Sequence, residues 1–241
     1  SDDYYEKDTL YKVGAAFSDP TTHVLCGRSR IFQHKTNTTV TLSSGTDVYL
    51  DNLAKTIGWA RIDQPETFFR KSVIDQVGPL NTQLNYLMDR DWWIRYLSLF
   101  GLSGIHQIED LLVHFRLHDA SKTVSQQAAF EQEKYSYFYA LAVAAGYTQL
   151  GDFLATEAPQ VKLLNLETHP LLTNKDLLYK SLHYFLLLYA EELYVQNAFK
   201  QARKFLKQID SSALVSVDQK VIKKLQHRMR FPTWLIQLLR K

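Results

Sequence analysis

Two aspartates two residues apart, Asp89 and Asp91, stand directly before a Trp-Trp pair at residues 92–93. A carboxylate at the start of a helix can accept the proton of a hydroxyl group that attacks an electrophilic carbon. The positive end of the helix dipole stabilises its ionised form. Asp89 is therefore a candidate general base, and Asp91 is a candidate for binding hydroxyls or positioning the loop. A helix N-cap is the alternative for Asp89.

Trp92 and Gln64 have the chemistry of sugar-binding residues. An indole ring can stack on the apolar C–H face of a sugar, although a tryptophan on an internal helix is more often part of the core. We expect one of the two neighbouring tryptophans to be buried and the other to lie near a pocket. A neutral carboxamide such as that of Gln64 can bridge hydroxyls without desolvating a charge. A glutamine at a strand edge is the alternative.

An acidic pair and a histidine could hold a divalent cation. Asp2 and Asp3 supply hard oxygen ligands suited to Mg²⁺ or Mn²⁺, and the imidazole of His118 suits Mn²⁺ or a phosphate. Arg116 and Lys122 could add positive charge toward a phosphate. A solvated turn is the alternative for the acidic pair, and a structural role is the alternative for His118.

Four segments together resemble the family 2 glycosyltransferases of bacterial polysaccharide synthesis in their order and spacing. They read Ser-Asp-Asp at residues 1–3, Gln-Pro-Glu-Thr-Phe-Phe-Arg at 64–70, Met-Asp-Arg-Asp-Trp-Trp-Ile-Arg at 88–95, and Phe-Arg-Leu-His-Asp-Ala-Ser-Lys-Thr at 115–123. The resemblance covers roughly residues 1–123, and the remainder of the chain contributes little to it.

The resemblance implies an inverting transfer of a sugar from a nucleotide-diphosphate donor to a hydroxyl of a glycan, a polysaccharide or a lipid-linked acceptor. It implies that Asp2, Asp3 and His118 bind the metal and that Asp89 is the base. It places Arg70 on the strand behind the donor sugar. In this family a nucleotide-binding βαβ half precedes the acidic element. We therefore expect this polypeptide alone to bind nucleotide sugar poorly and to show no turnover. A non-catalytic saccharide- or partner-binding module on the same scaffold is the alternative.

The elements that must position these residues change in character along the chain. Apolar patterning predicts strands at 23–33, 38–42, 66–70 and 105–117, and helices at 7–17, 48–59, 72–77, 89–100, 124–146, 174–197, 198–209 and 217–230. This pattern predicts an α/β fold over residues 1–122, which the resemblance makes a partial GT-A mixed sheet with flanking helices. An α-helical extension follows over residues 123–241.

Composition bounds the class of protein. The chain has 241 residues, of which 46% are hydrophobic and 22% charged, which is typical of a globular protein and argues against disorder. Its single cysteine, Cys26, excludes an intrachain disulfide. No apolar run reaches the roughly 18 residues that a transmembrane helix needs. We expect a cytoplasmic protein, peripheral at the inner membrane face.

The positive charge is concentrated near the carboxyl end. Residues 200–241 hold eleven Lys and Arg against two acids, so this segment carries +9 although the whole chain carries +3. Residues 228–241 join basic ends to a Trp/Leu/Ile face, which predicts an interfacial helix on an anionic membrane. A solvated face or a helix docked on the bundle are the alternatives. Nucleic acid is not an expected partner, because no motif interleaves aromatic and basic residues.

Overall fold

A computed structural model describes residues 3–118, 126–158, 160–231 and 236. The predicted site residues Asp2 and Lys122 lie outside these ranges. The chain divides into two compact units, the first comprising residues 1–53 and 60–170 and the second comprising residues 54–59 and 171–241. The second unit is therefore built from two separate stretches of the chain, a short one at residues 54–59 and a long one from residue 171.

A mixed sheet forms the centre of the first unit. Its strands are β1 (Tyr4–Tyr5), β2 (Val24–Gln33), β3 (Thr39–Leu42), β4 (Thr67–Phe69) and β5 (Ile105–Leu117). The order is β1-β5-β2-β3, and β4 also pairs with β2. The β2–β5 pair is parallel and the other pairs are antiparallel. β2 is the central strand because it pairs with β3, β4 and β5. Its first four residues, Val24 to Gly27, are buried, as expected of a strand covered on both faces.

The helices follow in chain order. They are α1 (Thr9–Phe17), α2 (Leu53–Trp59), α3 (Lys71–Val77), α4 (Met88–Phe100), α5 (Gln127–Ala144), α6 (Thr148–Glu157), α7 (Lys175–Val195), α8 (Phe199–Lys207) and α9 (Ser216–Arg228). In the first unit, α4 contributes Trp93, Tyr96 and Leu97 to the core. The rings of Trp93 and Tyr96 stack with centroids 5.1 Å apart.

The second unit is helical where the structure describes it. α7 carries an unbroken buried run from Ser181 to Ala190, and a helix that is apolar on most sides is expected to be enclosed by others. α2 packs against it so closely that a Cβ atom on Gly58 would lie 2.6 Å from the carbonyl oxygen of Ser181. Within the described residues, no helix is long and apolar enough to cross a membrane.

The predicted α/β class with a mixed sheet and flanking helices is confirmed at that level. Three elements differ from prediction, and the first is β1, which no pattern predicted. The helix predicted at 48–59 begins at Leu53, and Asp47, just before the predicted start, accepts a hydrogen bond from Arg61 Nε at 2.5 Å. α6 was not predicted at all.

The predicted domain boundary at residue 122 and the compact units do not coincide. The elements described after β5 are helical, in line with the predicted change of character. The first unit nevertheless extends to Pro170, because α5 is bonded to α4 and to the turn that precedes it through Glu133 and Tyr137. The division at residue 122 stays a prediction.

Candidate functional site

A cavity of about 550 Å³ lies in the first unit at the amino-terminal end of α4. It is lined by Ile62, Gln64, Phe69, Ile74, Gly78, Pro79, Leu80, Met88, Asp89 and Trp92. Three predicted site residues therefore line one space: Asp89 and Trp92 from the first turns of α4, and Gln64 from the segment just before β4. Its volume is within the range of ordinary small-molecule sites.

The start of α4 is fixed by a carboxylate from another helix. Glu133 of α5 accepts hydrogen bonds from the backbone N–H groups of Asn85, Tyr86 and Leu87 at 2.9, 2.6 and 2.7 Å. These groups directly precede the helix, where N–H donors lack intrahelical partners and the dipole attracts a negative charge. Glu133 thereby sets the position from which Asp89 reaches the cavity. Sequence reasoning missed this residue because the contact joins distant parts of the chain.

Asp89 is a half-buried carboxylate in the first turn of α4. Its Oδ1 accepts a hydrogen bond from the backbone N–H of Arg90 at 2.7 Å. Burial raises the pKa of Asp89 above its ordinary value, while Arg90 opposes the rise and the negative charge of Glu133 adds to it. A carboxylate whose pKa is raised is a better proton acceptor than an ordinary aspartate, which suits a general base.

Trp92 forms a wall of the cavity and fixes the turn opposite. Its Nε1 donates to the carbonyl oxygen of Gly78 at 3.0 Å, and its ring meets Phe69 edge to face with centroids 4.5 Å apart. Gly78 has φ +85°, a conformation that favours glycine. Both tryptophans are buried, with Trp92 6% and Trp93 0% exposed, but only Trp92 lines the cavity. Trp92 is thus the tryptophan of the pair that faces the pocket.

Arg95 holds the same turn from the other side. Its guanidinium donates to the carbonyl oxygens of Val77 and Pro79 at 2.7 and 2.8 Å, and its Nε donates to Asp91 at 2.9 Å. We call Arg95 with these three partners the Arg95 clamp. The Asp91 side chain is only 1% exposed and does not line the cavity. In the structure, Asp91 supports the cavity wall through Arg95.

The buried hydroxyl of Tyr137 connects Asp91 of the Arg95 clamp to His169. The Tyr137 hydroxyl donates to Asp91 Oδ1 at 3.2 Å and lies 2.9 Å from His169 Nε2. Burial lowers the pKa of His169 to about 3, so this imidazole is neutral. Since the single hydroxyl proton of Tyr137 is directed at Asp91, His169 must donate its Nε2–H to the Tyr137 oxygen.

The other predicted site residues that the structure describes, namely Asp3, Arg70, Arg116 and His118, do not line the cavity. The guanidinium of Arg70 donates to the carbonyl oxygens of Phe17, Asp19 and Thr22, which ties the end of α1 to β4. At the end of β5, the backbone N–H of Arg116 donates to Asp3 Oδ1 at 2.9 Å. His118 directly follows that strand. Asp3, Arg116 and His118 therefore lie around the end of β5.

The described residues do not assemble a metal centre. Among them, no group of three or more His, Cys, Asp or Glu side chains could hold a metal ion. Asp3 already accepts a backbone hydrogen bond, and Asp2 lies outside the described residues. The Mg²⁺ or Mn²⁺ site stays a prediction from the resemblance, and no chemical step below depends on it.

A second carboxyl group, Glu66, lies buried beside the segment that carries Gln64. It is 1% exposed, and its Oε1 accepts a hydrogen bond from the Ser43 hydroxyl at 2.5 Å. Burial raises the pKa of Glu66 to about 7, and the nearby charge of Asp63 adds to the rise. Sequence reasoning missed Glu66 as a special residue, because a glutamate next to a strand is usually solvated.

Comparison with known proteins finds no relative for this chain: no protein family, no curated protein and no solved structure matches it. The resemblance of its four segments to glycosyltransferases therefore stays a prediction.

Proposed function

We propose that this protein transfers a sugar from a nucleotide-diphosphate donor to a hydroxyl group of a glycan, polysaccharide or lipid-linked acceptor. The observation that carries the proposal is the meeting of Gln64, Asp89 and Trp92 around one cavity. A base, a neutral hydrogen-bonding group and an aromatic face are the three contributions that an acceptor sugar requires. The GT-A form of the sheet and the cytoplasmic location belong to this proposal.

In the proposed reaction the acceptor sugar occupies the cavity, with its C–H face against Trp92 and a hydroxyl held by Gln64. Asp89 accepts the proton of the attacking hydroxyl as its oxygen bonds to the anomeric carbon. The bond from that carbon to the diphosphate breaks on the opposite side, and the diphosphate leaves with the electron pair. Displacement from the opposite side inverts the anomeric configuration.

The diphosphate of the donor belongs outside this cavity. The described residues that line it include Asp89 but neither lysine nor arginine. A diphosphate carries concentrated negative charge, and it would meet a carboxylate there with no cation to compensate. The neutral acceptor is therefore the partner that the cavity suits.

The decisive experiment replaces Asp89 with asparagine in the full-length protein. Release of nucleoside diphosphate is followed for a panel of UDP- and GDP-sugars in the presence of mono- and oligosaccharide acceptors. We expect Asp89→Asn to lower kcat by about 10²- to 10⁴-fold, because the amide cannot accept the proton. Asp75→Asn, which changes an exposed aspartate of α3, is the matched control. Unchanged transfer by Asp89→Asn would refute the assignment of the base.

A saccharide-binding module without catalysis is the second candidate, and the apolar lining of the cavity favours it. Ile74, Leu80, Met88 and two aromatic rings contribute to that lining, which suffices for stacking a sugar. Under this alternative, the unmodified full-length protein binds the acceptor saccharides but releases no nucleoside diphosphate. Trp92→Leu then weakens saccharide binding, while Asp89→Asn has little effect on it.

A further inference from the structure

The two carboxyl-terminal helices of the second unit present a strongly basic surface. Six lysines, all exposed, form what we call the lysine face: Lys200, Lys204 and Lys207 on α8, and Lys220, Lys223 and Lys224 on α9. Their spacings of three and four residues place the members of each trio on one side of their helix.

Each trio lies opposite the side on which its helix is buried. On α9, Asp218, Ile222 and Leu225 are buried and Met229 continues their spacing. With about 100° of rotation per residue, Lys220, Lys223 and Lys224 project from the other side of the helix. The same relation holds on α8, where the buried residues are Phe199, Ala202, Phe205 and Leu206. The lysines are thus directed to solvent by the packing of the core.

The two acids of this region do not neutralise the lysine face. Asp218 is buried and is bonded to Lys55 Nζ at 2.8 Å and to the Tyr184 hydroxyl at 2.9 Å. Asp210 accepts hydrogen bonds from the backbone N–H and the hydroxyl of Ser212, and from the hydroxyl of Tyr179. Asp218 is thus paired with a cation, and the one other carboxylate, Asp210, is outnumbered by the six lysines, so the net charge along α8 and α9 is positive.

Apolar side chains accompany the lysines. Val217, at the start of α9, is 62% exposed, and Phe231, just beyond its end, is 41% exposed. Arg203 of α8 donates from Nε to the carbonyl oxygen of Met229 at 3.0 Å, which holds α8 to the end of α9. Lysines combined with exposed apolar residues suit the boundary between headgroups and acyl chains, whereas a nucleic-acid backbone needs the charge alone.

We infer that the lysine face binds the surface of a bilayer that contains anionic lipids. The attraction comes from the negative surface potential, to which each basic residue near the surface adds favourably. The inference is independent of the proposed sugar transfer and uses only residues of the second unit. It also differs from the interfacial helix predicted at 228–241, of which only residues 228–231 and 236 are described.

The test measures sedimentation of the full chain with phosphatidylcholine vesicles that contain or lack about 30 mol% phosphatidylglycerol. We expect binding only when the anionic lipid is present, and release at about 0.5 M NaCl, where electrostatic attraction is screened. Lys220→Gln, Lys223→Gln and Lys224→Gln combined should lower the partition coefficient by roughly a hundredfold. Far-UV circular dichroism should be unchanged, because all three side chains are exposed.

A control variant with the same change of net charge separates the lysine face from the charge of the whole chain. Lys7→Gln, Lys35→Gln and Lys71→Gln combined remove three exposed lysines of the first unit, and this variant should bind as the unmodified chain does. Equal losses in the two triple variants would overturn the inference, as would binding that ignores phosphatidylglycerol. Tighter binding to duplex DNA than to the anionic vesicles, with the same loss on substitution, would assign the surface to nucleic acid and overturn it too.

Discussion

At the scale of single residues, Glu66 is a buried acid that keeps its proton at mildly acidic pH. Its pKa is raised to about 7, well above the ordinary value near 4.3. At a pH between these two pKa values, Glu66 is protonated in the folded chain and ionised in the unfolded chain. The free energy of unfolding must therefore fall as the pH rises from about 4.5 to 7, and it levels off above that range.

Glu66→Gln tests this pH dependence. The amide oxygen can still accept the hydrogen bond of Ser43, and it has no charge to desolvate. We expect the variant to be more stable than the unmodified chain by about 2–3 kcal/mol at pH 8, and to differ little at pH 4.5. Urea unfolding at the two pH values measures the difference.

Glu109→Gln is the matched control for that experiment, because Glu109 is exposed on β5. It should alter the stability little at either pH. A stability difference for Glu66→Gln that is the same at both pH values would contradict the raised pKa.

The sequence identifies candidate site residues better than it predicts what surrounds each of them. Gln64, Asp89 and Trp92 were candidates by their chemistry together with the family resemblance, and the structure brings them together. Arg70 and Asp91 stood out equally, yet their polar atoms bond to carbonyl oxygens and to Arg95 inside the unit. What a side chain faces depends on packing between distant segments. Neither spacing nor composition contains that information.

At the scale of elements, the turn at residues 77–80 is held to α4 by side chains of that helix. Trp92 bonds to Gly78, and the Arg95 clamp bonds to the residues on either side of it. This wall of the cavity is therefore joined to α4 by three hydrogen bonds. We expect the cavity to keep its shape when it is empty.

Removing the guanidinium of Arg95 tests the clamp. Arg95→Met frees the carbonyl oxygens of Val77 and Pro79 and leaves the buried Asp91 without its cation, which should cost about 3–5 kcal/mol of unfolding free energy. Lys71→Met is the control, since Lys71 and Asp75 form an ion pair of the same i,i+4 spacing with 84% and 58% exposed side chains. It should change stability by less than about 0.5 kcal/mol.

Denaturant unfolding of the two variants gives the comparison directly. Similar small losses in both would show that the Arg95–Asp91 pair contributes no more than a surface pair, and the clamp would then be no support for the cavity.

Most elements of the sheet were predictable because their signals are local. Alternating or continuous apolar runs located β2, β3, β4 and β5 to within about two residues. α6 was missed because Gly151 and its polar neighbours weaken the helical pattern. Its place in the fold comes from packing, since a Cβ atom on Gly151 would lie 3.2 Å from Val143 of α5.

At the scale of the whole molecule, the chain contributes to its second unit from two separate stretches. No sequence pattern predicted that α2 belongs with α7 to α9, because the pairing depends on a close approach between backbones. Gly58 is the residue that permits it. The carbonyl oxygen of Ser181 and the Cβ atom of Tyr184 would lie 2.6 and 2.7 Å from an added Cβ atom.

Gly58→Ala and Gly14→Ala should therefore have opposite effects, although both place alanine in a helix. Alanine favours a helix over glycine by about 1 kcal/mol, and no described atom lies within 4 Å of a Cβ atom at Gly14. We expect Gly14→Ala to raise the melting temperature. Gly58→Ala should lower it, because the overpacking costs about 1–3 kcal/mol. Thermal unfolding by circular dichroism is the measurement, and a stabilised Gly58→Ala would contradict the packing.

Residues 54–59 belong to the second unit although the residues on either side belong to the first, and this affects the order in which the protein can fold during synthesis. A ribosome makes α2 long before α7, so residues 181–185, against which Gly58 packs, do not yet exist while the first unit is being translated. The second unit can complete its packing only after residues 181–185 have left the ribosome and can contact Gly58. A fragment that starts at residue 171 would never acquire this helix, and a gap would remain where Gly58 meets α7.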